Sequence, residues 1–165
     1  IVYLLFFLRD DLRHEDPAAG VLVLTGIYAV MVMVTAVVAG PWSDRVGRRK
    51  PFVISSSATI AMAGMIMAFF PVWPGALAGA AVLGIGFGAY LAVDFALLTQ
   101  VLPMAADRGK DMGIINVANS LPQVVAPFLA FMAVTVWGGY RTLFVTAAII
   151  GLLGAVFVVK IKSVR

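Results

Sequence analysis

Residues 20–40 read GVLVLTGIYAVMVMVTAVVAG, and residues 41–50 continue as PWSDRVGRRK. The first stretch carries no charged side chain, and a helix of that length covers about 30 Å, the thickness of a bilayer's hydrocarbon core. The second stretch gathers Arg45, Arg48, Arg49 and Lys50 into a few positions. An apolar block as long as a bilayer is thick, closed by a basic connection, predicts a membrane crossing with its basic end in the cytoplasm.

The rest of the chain repeats this alternation. Of 165 residues, 62% are hydrophobic and 12% charged, with a mean hydropathy of +1.04. A soluble domain carries about a quarter charged residues, and half of that cannot coat a water-facing globule. Four further apolar segments follow, so the predicted spans are 20–40, 51–70, 74–102, 112–136 and 140–159. Residues 1–8 are apolar but cover only about 12 Å as a helix, which predicts the end of a crossing that starts upstream. Arg9 to Ala19 is predicted as a polar, mildly acidic loop. Pro51 and Pro74 fall where a helix start tolerates proline. The spans must be helical, because lipid offers the backbone no hydrogen-bond partners and the segments lack the short, alternating pattern of barrel strands.

Charge placement orients the bundle. Nine basic residues lie in the connections after the first and third full spans and in the tail, against Arg9, Arg13 and Arg141 on the other side. The positive-inside rule therefore puts the C-terminus in the cytoplasm. The same placement accounts for the net charge of +4 without nucleic acid. There are no cysteines, which removes disulfides, thiolate metal sites and thiol nucleophiles. No other residue set suggests a metal or a cofactor.

The connection Gly40-Pro41-Trp42-Ser43-Asp44-Arg45-Val46-Gly47-Arg48-Arg49-Lys50 resembles the cytoplasmic signature of the major facilitator superfamily, G-x-x-x-D-R-x-G-R-R/K. It matches at each fixed position. A plain basic topogenic loop would need the Lys and Arg but not the ordered Gly, Asp and Gly. On physical grounds Asp44 is expected near the partial positive charge of a helix N-terminus, with Gly40 and Gly47 allowing close backbone approach. A second stretch, Gly109 to Gln123, fits G-x-x-x-G-x-x-N-x-A-x-x-x-P-Q and is similar to the eleventh-helix region of sugar–cation symporters of the sucrose and glycoside–pentoside–hexuronide type. The resemblance implies an all-α integral membrane fold, the C-terminal half of a twelve-helix carrier with five complete helices and the end of a sixth. Implied partners are a small solute, a proton or sodium ion, the bilayer, and an N-terminal half of the same protein. Where family members often place an acid before the proline that ends the third full span, this chain has Gln100. Gln100 can offer Arg48 a hydrogen bond but no charge.

Two groups of residues are candidates for touching a solute. Asp94 is the lone carboxylate inside the five spans, and a charge at mid-membrane costs about 2.5–3.5 kcal/mol on insertion scales. At 100° per residue Phe87, Tyr90 and Leu98 lie within about 40° of it on the helix. A carboxylate beside two rings can bind hydroxyls or carry a proton; it can equally pair with a basic residue in the other half. On the fourth span Asn116, Asn119, Ser120, Gln123 and Pro127 share a face within about 60° of Asn116. Such amides can read hydroxyl groups or lock helices together. Pro122 and Pro127 on the same helix suggest a broken helix lining a cavity. Gly84-Ile85-Gly86-Phe87-Gly88 is read as close helix packing rather than a nucleotide loop, and His14 as a solvated loop residue.

The reading is secondary active transport of a sugar or glycoside by alternating access with a missing half. An efflux carrier for amphipathic compounds is the alternative within the class. A membrane-embedded enzyme is the rival from outside it, and lacks an intramembrane His, Cys or paired acid; a nonfunctional fragment is the third. Topology gives the first test: single cysteines at Ser43 and Ala18 should react with an impermeant thiol reagent from opposite sides, and labelling from one side would end the alternating reading.

Overall fold

The structure is a computed structural model that describes residues 2–47, 50–101 and 108–160; among these, the side chains of residues 2, 94–101, 108–112, 114, 115, 119 and 158–160 are not described. Its elements are helices, with no strand among the described residues. A short α1 (Val2–Phe6) widens into a π-helical turn (Phe7–Asp11). Five long helices follow: α2 (Pro17–Val46), α3 (Lys50–Phe69), α4 (Trp73–Val101), α5 (Arg108–Thr135) and α6 (Tyr140–Lys160). Each contains a stretch long and apolar enough to cross a membrane.

The helix ends depart from the apolar blocks, and local chemistry explains why. α2 begins three residues before Gly20 because Asp16 caps it, accepting hydrogen bonds from Ala18 N at 3.1 Å and Ala19 N at 3.0 Å. Pro17 then occupies the first helical position, where its missing N–H costs nothing. At the other end α2 runs through Pro41 to Val46, well past Gly40. It stops at Gly47, whose φ of 64° is left-handed and whose N–H donates to Ser43 O at 3.1 Å. A residue with a Cβ is strained there, so glycine ends the helix. Thirty residues make a helix of about 45 Å, longer than the hydrocarbon core, which leaves its charged end outside. Arg9 to Asp11 are likewise helical rather than part of the loop.

Small residues set the packing. α4 lies between α2 and α3, α3 also packs on α6, and α5 touches mainly α6. A Cβ added at Gly84 would lie 2.6 Å from Tyr28 O, and one at Gly88 would lie 2.5 Å from Val32 O, so α4 and α2 meet backbone to backbone. On the opposite side of α4, a Cβ at Gly86 would meet Ile60 and Ser56 O of α3. The Gly-rich stretch is therefore a packing surface facing two neighbours. Between α3 and α6, a Cβ added at Gly64 would lie 3.0 Å from Phe144 O.

A compact cluster near the start of α2 joins α1 to the rest. Phe7 and Leu8 are buried with Leu24, Met67, Ala76 and Ala80. Phe7 meets the rings of Phe144 at 5.0 Å and Tyr140 at 5.7 Å, both edge-on. His14 is not simply solvated: its ring stacks on Trp73 at 4.3 Å and packs over Gly20, held by His14 N donating to Leu8 O. The mixed polar and aromatic character of His14 and Trp73 suits a membrane–water boundary.

Ser43 is 2% exposed, so it is a poor reporter of topology; Val46, 47% exposed on the same segment, is the position at which an inner cysteine should label. The packing itself predicts a split in sign. Gly88→Ala should lower stability by about 1–3 kcal/mol through overpacking. Gly26→Ala, with nothing within 4 Å of its added Cβ, should gain up to about 1 kcal/mol of helix propensity. Thermal unfolding in detergent reads both, and equal shifts would contradict the α2–α4 contact.

Candidate transport site

The two groups of solute candidates sit on different helices, α4 and α5. Phe87 and Tyr90 are half-buried on α4 with ring centroids 6.2 Å apart and nearly parallel. Tyr28 of α2 joins them, its ring 6.0 Å from that of Phe87. This third aromatic was missed because α2 reads as uniformly apolar and nothing in its pattern singles out one face. The backbone of Asp94 lies in α4, one turn beyond Tyr90; its side chain lies outside the described residues, as do those of Gln100 and Asn119.

Every described side chain of α5 from Asn116 to Phe128 is exposed. The helix is not broken: it continues through Pro122 and Pro127. Each proline still leaves the carbonyl four residues earlier, at Ala118 and Gln123, without its intrahelical donor. Asn116, Ser120 and Gln123 thus lie on a helix that this chain leaves largely uncovered.

An open cleft of about 870 Å³ runs between α1, the C-terminal half of α5 and the start of α6. Gln123 lines it, together with apolar wall residues Ala126, Ala130 and Phe131. Phe87, Tyr90 and Asn116 are not among the residues that line this cleft. Four further residues that the sequence did not single out do border it: Tyr3, Arg9, Asp10 and Tyr140. Tyr3 donates from its hydroxyl to Pro127 O at 3.1 Å, tying α1 to α5. At one mouth of the cleft Arg9 Nε donates to Asp10 Oδ1 at 2.7 Å, and the Tyr140 hydroxyl donates to Asp10 Oδ2 at 3.2 Å. The Arg9 hydrogen bond holds the Asp10 carboxyl below the usual carboxylate range, and the same bond raises the Arg9 guanidinium. With a depressed value, Asp10 stays ionised at neutral pH, and the pairing is lost as pH falls through that lowered value. The signal that could have pointed to this group was its position, a charged pair immediately following an aromatic-rich apolar run. Chemically the cleft offers uncharged amide and hydroxyl groups, ring faces and one ion pair, which suits a small polar solute with an apolar side.

The cytoplasmic motif folds as a helix end rather than a loop. Gly40, Asp44 and Arg45 belong to the last turns of α2, and Gly47 closes it. Asp44 is therefore carried near the C-terminal end of α2. Among the described residues Gly40 has nothing within 4 Å of an added Cβ, whereas Gly47 is needed for its backbone angle. Arg48 and Arg49 lie outside the described residues.

Comparison with known proteins agrees with this architecture. The family model of the Major Facilitator Superfamily matches residues 1–164. The chain belongs to that superfamily. Among curated relatives it is 36% identical over 83 residues to "Probable polyol transporter 3" of Arabidopsis thaliana, a match covering 50% of this chain and 16% of that protein. It is 28% identical over 116 residues to "Myo-inositol transporter 3" of Cryptococcus neoformans var. grubii, covering 70% of this chain and 19% of that protein. The matched regions are thus less than a fifth of these relatives' length. No solved structure gives a significant match. Superfamily membership and transporter-named relatives place the chain with carriers rather than with enzymes.

Proposed function

We propose that this chain is the C-terminal half of a carrier that moves a small polyhydroxylated solute, a sugar, sugar alcohol or cyclitol, by alternating access against an N-terminal half. The observation that carries the reading is the exposure of α5. A helix in a bilayer that displays Asn116, Ser120 and Gln123 cannot leave them in hydrocarbon cheaply. A second half-bundle or a water-filled pathway is what such a face requires, and the cleft beside it supplies hydroxyl-reading groups and apolar walls. Polyol and myo-inositol transport, named for the relatives, fits those groups. The apolar share of the wall favours amphipathic efflux as the second reading.

Energy coupling is assigned to Asp94. A carboxylate within a span is costly to keep unless it serves a partner or a pathway, and carrying a proton across the bilayer is such a service. The motif at the end of α2, Gly40 to Arg49, is assigned together with Gln100 to switching between conformations rather than to solute binding. The carrier resides in the plasma (inner) membrane with Arg45 to Lys50 and the tail from Lys160 in the cytoplasm, because basic residues concentrate there.

Reconstituted full-length carrier should show saturable uptake of labelled myo-inositol or sorbitol. Gln123→Ala should raise KM roughly tenfold with little change in maximal rate, the loss of one hydrogen bond to the bound solute. Uptake of neither polyol, with export of amphipathic dyes instead, would select the second reading.

Asp94→Asn should abolish accumulation driven by an imposed proton gradient while exchange of internal for external solute partly survives. Accumulation that persists at a reduced yield of folded protein would make Asp94 a structural partner. Asp44→Asn should lower the maximal rate and leave affinity within a few-fold; a large affinity loss at unchanged rate would put Asp44 in the binding site.

A further inference from the structure

The outer mouth of the cleft holds an ion pair that the packing of the bundle does not explain. Arg9 and Asp10 are adjacent in sequence, and their side chains are 62% and 44% exposed. An exposed pair of this kind contributes little to stability, and salt weakens it further. Its position is better explained by what borders the same cleft. Phe6 lies under the Arg9 guanidinium, 5.0 Å from its ring centroid, and Tyr3 and Tyr140 flank the pair. Charged donors and acceptors beside three aromatic rings, at one end of a cleft open to a deeper amide, match the needs of a molecule with hydroxyls on its edge and C–H groups on its face.

The hydrogen-bond capacity of the pair supports that match. An ionised carboxylate has roughly four lone-pair sites. Arg9 Nε takes one on Oδ1 and the Tyr140 hydroxyl takes one on Oδ2, so each oxygen keeps a second. The Tyr140 contact, at 3.2 Å, is longer than the usual hydroxyl–oxygen bond of about 2.7–2.8 Å, and a stronger donor can displace it. Two neighbouring oxygens, each able to accept once more, fit two neighbouring hydroxyls. Among the described residues Arg9 hydrogen-bonds through its Nε, and its Nη groups can donate to a hydroxyl oxygen from the same side.

We propose that Asp10 and Arg9 form an outer subsite that binds a vicinal diol of the solute before it reaches Gln123, with Tyr140 positioning the carboxylate. This rests on the carrier reading above and on the outward orientation of residues 9–19. An outer subsite acts on the outward-facing state, so its loss should appear on one side of the membrane only. A residue that merely supports the fold would alter both sides.

The test uses full-length carrier in proteoliposomes of known orientation, with myo-inositol and sorbitol as the probes. Asp10→Asn keeps the shape but removes the charge, and hydrogen bonds to a charged group are the stronger ones. It should raise KM for uptake from the outer face roughly tenfold or more, and leave KM from the inner face within about twofold. Tyr140→Phe should give a smaller rise on the same side only. If Asp10→Asn does not accumulate as folded carrier, Arg9→Gln carries the test with the same one-sided expectation. An equal rise on both faces, or no rise on either, overturns the subsite while parent uptake keeps the carrier reading intact. Failure of the parent to take up either polyol removes both.

Discussion

The backbone contact between α2 and α4 is the constraint from which the arrangement follows. In lipid there is no hydrophobic gain from bringing two apolar helices together, so association depends on close van der Waals contact. Gly84 and Gly88 provide that closeness by letting α4 rest on the carbonyls of Tyr28 and Val32. Gly86 does the same toward α3 on the opposite side. With both flanks of α4 committed, α6 attaches through α3, and α5 is left at the margin with most of its surface uncovered. The uncovered helix is the one that carries the amides.

That division of labour separates a rigid part from a receptive part. The glycine-packed helices meet over backbone atoms, which cannot be displaced by rotamer changes. α1 and the C-terminal half of α5 are joined by a few side-chain contacts, including the hydroxyl of Tyr3 on Pro127 O, and an open cleft lies between them. A solute pathway needs groups that can exchange one hydrogen-bond partner for another. Hydroxyls, an amide and a partly engaged carboxylate are such groups; packed glycines are not.

The cytoplasmic motif shows how sequence order and spatial role can part. Its residues suggested a loop that presents Asp44 to a helix start. In the fold, the capping chemistry of Gly47 prolongs α2 to Val46, so Asp44 and Arg45 are carried on a rigid helical end. Two opposite signals on that stretch, a helix-tolerated run interrupted by Pro41 and a glycine able to take a positive φ, are weighed only when the next helix is in place. His14 is a similar case: its stacking on Trp73 joins a loop residue to the first residue of α4, and no local pattern announces such a pair.

The sequence by itself determined the solvent, the number of complete spans and the alternation of their ends. Those depend on local quantities: the length of an apolar run against the thickness of a bilayer, and the count of Lys and Arg in each connection. The signature at Gly40 to Lys50 carried the superfamily for the same reason, since it is a contiguous string. Tertiary structure decided which groups share a space. Helical periodicity put Phe87 and Tyr90 on one face, but the ring of Tyr28 joined them only through the α2–α4 contact. Helix packing also set Gln123 in the same cleft as Tyr3, Arg9, Asp10 and Tyr140, residues more than a hundred positions apart. Such neighbours are chosen by helix packing, whose energy lies in contacts between distant segments and leaves no periodic trace along the chain.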